Sequence, residues 1–232
     1  MITIRRAHER GHANHGWLDS HHTFSFADYH DPAHMGFRSL RVLNDDVIQG
    51  GGGFPFHPHE NMEIFSYVTE GALEHRDSMG NGSVLRRGDV QLMSAGTGVL
   101  HSEFNPQADA PTHLFQIWIR PSERGQTPNY QERRFEDADL ADRLRVVVSA
   151  DGRDGSLVIR QDATIYAGRL AAGVGETHEL APGRHAWLQV LSGAVALNGA
   201  RLSTGDGAST NDPGPLSLSA TEDAEVLLFD LA

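Results

Sequence analysis

Asn81-Gly82-Ser83-Val84-Leu85-Arg86-Arg87-Gly88-Asp89 recurs as Asn198-Gly199-Ala200-Arg201-Leu202-Ser203-Thr204-Gly205-Asp206, the same N-G-x-x-L-x-x-G-D at two places in one chain. Upstream of each copy a strand-like run ends at a glycine, Tyr67 to Gly71 before the first and Gln189 to Gly193 before the second. An Asn-Gly pair suits a two-residue type I′ hairpin, which needs positive φ at both central positions. Gly-Asp marks a turn into the next strand. The matched order predicts two copies of one β-barrel unit. The rest of the chain agrees: runs rich in Val, Ile, Leu and Phe, such as 63–70, 90–95, 113–120, 144–149 and 224–231, are separated by Gly-containing turns. No segment holds a helical apolar period for three turns, so the expected fold is all-β with few short helices, placed in the polar stretch before Arg145. That stretch, 121–142, carries Pro121 and Pro128 and is expected to connect an N-terminal barrel of residues 1–120 to a C-terminal barrel of residues 143–232.

Composition removes several kinds of chemistry. The 232 residues include 19 Lys+Arg and 31 Asp+Glu, a net charge of −12 that repels phosphate backbones and anionic lipid heads. Direct nucleic-acid binding is disfavoured. There is no cysteine, which excludes disulfides, thiolate nucleophiles and iron–sulfur clusters. All the cations are arginine, so Schiff-base chemistry and a phosphate-loop lysine are excluded too. No apolar run reaches signal-peptide or membrane-spanning length, and a soluble cytoplasmic protein is expected. Against these absences stand 14 histidines, of which only His178 and His185 lie beyond His113.

In Phe56-His57-Pro58-His59-Glu60-Asn61-Met62-Glu63, the proline keeps His57 extended, so residues i and i+2 point the same way and two imidazoles converge. His101 and Glu103 in Leu100-His101-Ser102-Glu103 repeat that spacing. If both strands line one barrel, His57, His59, His101 and Glu103 meet inside it. Three imidazoles and a carboxylate suit a divalent transition metal such as Fe, Mn, Co, Ni, Cu or Zn, with positions left open for water or substrate. Glu63, at the same strand parity as His59, is a rival fourth ligand. His75, His113 and Gln116 are expected as hydrogen-bonded barrel residues that orient a ligand imidazole or a substrate. His12, His15, His21 and His22 are expected in packing or surface roles. The repeat offers an internal comparison: the steps that lead from Gly88 to His101 and Glu103 lead from Gly205 to Leu218 and Ala220, neither of which binds metal. The C-terminal barrel is therefore expected to lack a metal site.

These clusters resemble the two cupin motifs, and the segments 22–32, 35–46, 57–80 and 88–106 taken in order resemble the pirin family. The resemblance is dense over the first 120 or so residues and looser beyond, and within the family it is strongest to bacterial pirin-like quercetin 2,3-dioxygenases. It implies a bicupin of two jelly-roll-like β-barrels with the metal, iron first, in the N-terminal one. It also implies that His57, His59, His101 and Glu103 are the ligands. Gly71 comes one residue late after Glu63, and His101 two late after Gly96, relative to the general cupin pattern. Both shifts match the pirin variant, where the carboxylate ligand comes from the second motif, which moves Glu63 behind the ligands. The implied activity is opening of a flavonol ring with O2, Glu103 serving also as general base on a small aromatic substrate. The resemblance equally admits a metal-binding regulator acting through protein partners, or another cupin enzyme.

Overall fold

A computed structural model describes all of Met1–Ala232. The chain divides into two compact units: Gly11–Arg134 with Ile159–Gln161, and Met1–Arg10 with Phe135–Val158 and Asp162–Ala232. Each unit is a seven-stranded sheet and a four-stranded sheet. In the first unit the large sheet runs Asn129–Arg134, Asp89–Ser94, Glu63–Glu70, Thr112–Ile119, Leu40–Ile48, Leu18–His22, Gly11–Asn14, all antiparallel. Its small sheet runs Gly53–His59, Val99–Phe104, Ala72–Asp77, Gly82–Arg86. The second unit repeats the plan, its small sheet running Gly175–Leu180, Gly214–Ala220, Ala194–Leu197, Ala200–Ser203. The molecule is thus the two-barrel all-β fold expected from the repeat, with the cupin-like plan that the resemblance implied, and its one α-helix is the short Asp137–Leu140.

The repeated turns have a backbone cause. Gly71 and Gly193 both take positive φ, +78° and +76°, where a side chain is strained. The type I′ expectation holds at one copy only. In the second unit Leu197 pairs directly with Ala200, and Asn198 and Gly199 sit at φ +47° and +82°. In the first unit the hairpin is longer: Asp77 closes it by accepting from the backbone N–H of Met79 and Asn81 at 2.9 and 3.0 Å, and Asn81 is not left-handed. A side-chain-closed loop there replaces the tight turn.

The structure divides the chain differently from the composition. Thr3–Arg5 pairs with Gly207–Thr210, so the first ten residues belong to the C-terminal unit. Arg6 Nη1 donates to Asp206 Oδ2 at 2.8 Å, which gives the aspartate of the second Gly-Asp a structural role. Asn129–Arg134, placed by its polarity in the connecting segment, is an edge strand on Asp89–Ser94. A polar edge strand is how sheets discourage further pairing, and composition cannot tell it from a linker. In the second unit the strand Gly214–Ala220 sends Leu216, Leu218 and Ala220 into an aliphatic core with Leu188, Val190 and Val195.

Candidate metal centre

The strand Gly53–His59 carries two prolines, which cannot donate to a ladder, and it lies at the edge of the small sheet where that costs nothing. It pairs with Val99–Phe104 so that His57 faces His101. Beyond that pair the register slips, and Glu103 comes opposite Phe54. This bulge at Pro55 turns the strand. His57 Nδ1 donates to the Pro55 carbonyl at 2.8 Å, and a carbonyl only accepts. That bond orients the His57 ring with Nε2 toward the cluster, 3.0 Å from His101 Nε2.

Ring nitrogens of His57, His59 and His101 lie within 4.8 Å of one another. Glu103 joins through His101, its carboxylate lying within the same distance of His101 and His75. Burial above all, then the neighbouring imidazoles, lowers His59 and His101 to about 3, so both are neutral and able to donate lone pairs. Burial also pushes the Glu103 carboxyl up from its ordinary range, opposed by His75, His57 and hydrogen bonds. Three imidazoles, two of them held neutral, and one buried carboxyl are a donor set that fits a divalent transition metal.

The other candidates separate by strand parity. Gln116 Nε2 donates to Glu103 Oε2 at 2.5 Å, and Ser66 Oγ donates to Glu103 Oε1 at 3.3 Å. His113, three residues earlier on the same strand, points to the other face and pairs with Asp45 Oδ1 at 2.6 Å. His75 is fully buried, with Nε2 3.3 Å from Asp77 Oδ2 and its ring stacked on Tyr130 at 4.8 Å. Glu63 opens a strand of the other sheet, because the chain turns at Asn61 (φ +50°) after His59. Its carboxyl accepts from Ser94 Oγ at 2.8 Å and from the Arg160 backbone at 3.3 Å. The shared parity with His59 assumed an unbroken strand and does not survive the turn.

All four expected ligands line one cavity of about 680 Å³, whose walls include Trp17, Phe26, Tyr29, Phe54 and Trp118. His12 and His15 are exposed and His22 is buried against Phe26, the surface and packing roles expected for them, and all three also line the cavity. Sequence reading missed Ser20, Asn44 and Asp46 on the cavity wall. The signal for the last two was present: Asn44 and Asp46 fall with period two on the strand face that otherwise carries Leu40, Val42 and Ile48.

Residues 3–119 match the family model described as Pirin, and residues 146–231 match the quercetinase C-terminal cupin domain. A protein of Escherichia coli K12 named quercetin 2,3-dioxygenase is 53% identical over 231 residues, covering 100% of this chain and 99% of that protein. A pirin-like protein of Caulobacter vibrioides is 41% identical over 233 residues, covering 100% of each. The crystal structure of the bacterial pirin YhhW from Escherichia coli in complex with nickel(II) matches at a TM-score of 0.95 and 52% identity, covering 100% of this chain and 99% of that one.

Proposed function

The chain belongs to the pirin family, and from that premise we propose that it is a metal-dependent dioxygenase that opens the heterocyclic ring of a flavonol such as quercetin with O2, releasing carbon monoxide. The observation that carries the reading is the convergence of His57, His59 and His101, with Glu103 beside them, on an aromatic-walled cavity. Relatives named for this activity, at up to 53% identity over the full chain, support it. His57, His59, His101 and Glu103 would hold the metal, iron by preference; a relative crystallised with nickel(II) supports a transition-metal site without choosing the ion. A bound metal supplies Lewis acidity toward the 3-hydroxy-4-keto group and redox contact with O2.

The remaining work falls to the protein. Trp118 and Phe54 present ring faces and edges to a flat ligand, and the apolar walls exclude water from the electron-rich ring. Glu103 takes the 3-hydroxyl proton on Oε1, the oxygen held by the longer 3.3 Å contact, while Gln116 retains Oε2. Burial, which raises the carboxyl, makes it the better base once substrate is in place. The test is oxygen uptake by the metal-loaded protein with quercetin. Uptake that follows metal content supports the reading. Metal bound without uptake overturns it in favour of a metal-binding protein acting through partners.

A further inference from the structure

The strand Leu40–Ile48 crosses the large sheet of the N-terminal unit between Leu18–His22 and Thr112–Ile119. Two of its inward residues are polar: Asn44 and Asp46 line the cavity yet are only 3% and 2% exposed. Asp46 accepts one short hydrogen bond, from the hydroxyl of Ser20, its cross-strand neighbour. The Asn44 amide oxygen is buried with no hydrogen-bond partner. Buried acceptors left in that condition cost about 1–3 kcal/mol each, so a sheet interior keeps them where something meets them. Neither residue belongs to the metal cluster. Both face a cavity whose walls carry aromatic rings and also His12, His15 and His22, and the Asn44 oxygen is an acceptor there that the protein itself leaves unmet.

We propose that Asn44 and Asp46 form a hydroxyl-reading subsite, which selects ring-hydroxylated aromatic ligands over unsubstituted ones. Residues i and i+2 of a strand lie about 7 Å apart, so the two acceptors meet hydroxyls at separate positions on a flat ring system. Gln116, which holds Glu103, is the direct cross-strand neighbour of Asn44. The subsite therefore lies beside the reacting centre, and hydroxyl recognition there fixes the ligand's orientation over it. Burial pushes the Asp46 carboxyl up to about 7 against the Ser20 hydrogen bond, so near neutrality it offers an acceptor oxygen in either protonation state. Ligands without hydroxyls leave both groups unmet, and this penalty generates discrimination.

The proposal rests on the flavonol reading for its choice of probes. Quercetin and 3-hydroxyflavone share the 3-hydroxy-4-keto group, and only quercetin has hydroxyls on its outer rings. Their anaerobic binding to the metal-loaded protein is read by quenching of tryptophan emission, since Trp17 and Trp118 line the cavity. The wild-type protein should prefer quercetin by about 10-fold or more. Asn44→Leu and Asp46→Leu should each lose most of that preference while metal content stays at the wild-type level. Should either variant fail to fold, the wild-type comparison decides alone. Equal affinity for the two probes, binding of neither, or folded variants that keep the full preference would overturn the proposal. Oxygen uptake on the same samples separates the two ideas. Preference without uptake leaves the subsite standing and removes the dioxygenase; uptake with equal affinities does the reverse.

Discussion

Replacing Gln116 by leucine should loosen the metal without dismantling the barrel. Gln116 Nε2 donates to Glu103 Oε2 at 2.5 Å, and the two side chains are 7% and 2% exposed. A hydrogen bond to a charged group away from water contributes about 1.5–3 kcal/mol. At about 1.4 kcal/mol per decade this is roughly 10- to 150-fold in affinity. Loss of an outer partner of a metal ligand typically costs about 10–100-fold, a consistent range reached independently. Leucine is close to glutamine in volume, so little cavity is left behind. Ser66→Ala removes a contact of 3.3 Å, long enough to be much the weaker of the two, and should cost less, about 2- to 12-fold. Gln91 donates to Ser66 Oγ at 3.4 Å and hydrogen-bonds Glu103 more weakly than Ser66 does, so Gln91→Leu should cost least. The assay is metal affinity by chelator competition, with thermal unfolding of the metal-free proteins as the control for folding. A Gln116→Leu protein that binds metal like the wild type, or a reversed order across the three variants, would refute the reasoning.

Two further outcomes concern the scaffold. Gly193→Ala places a Cβ against the Asp223 carbonyl at a backbone φ of +76°, so it should destabilise the C-terminal unit by about 2–4 kcal/mol in denaturant unfolding while leaving the metal content unchanged. For His113, burial works against the charge but the Asp45 hydrogen bond and charge outweigh it, and its pKa is raised above 6.5. The stability this pair contributes is then complete below 6.5 and is lost as pH rises through the folded value. Asp45→Asn should remove on the order of 1 kcal/mol in acid and progressively less in alkali, as followed by unfolding at several pH values.

The proximity of these side chains was legible because period-two spacing is geometry that a strand imposes: His57 with His59, and His101 with Glu103, needed only an extended chain. The duplication was legible because Gly71 and Gly193 take the same left-handed backbone in each copy. What escaped depends on events a local reading cannot see. The turn at Asn61 carries Glu63 into the other sheet, where it meets Ser94 and Arg160. Thr3–Arg5 finds its partner strand some two hundred residues away. The polar edge strand Asn129–Arg134 looks like a linker because an edge has reason to be polar. Leu18, Ser20 and His22 line the cavity with the period of a strand, but the run Leu-Asp-Ser-His-His is too polar for that period to show as hydrophobic alternation, and His15 lies in the turn before it.

The central claim is that the second motif, and not the first, supplies the carboxylate to the metal, and metal content per chain in Glu103→Gln and Glu63→Gln tests it most directly. Glutamine keeps the shape of either side chain and removes the charge. Glu103 adjoins the imidazole cluster, whereas Glu63 is engaged with Ser94 and the Arg160 backbone. The account predicts Glu103→Gln protein stripped of most of its metal and inactive toward quercetin, with Glu63→Gln retaining metal at high metal concentration and losing affinity by no more than about 10–100-fold. A metal-free Glu63→Gln beside a metal-loaded, active Glu103→Gln would contradict it.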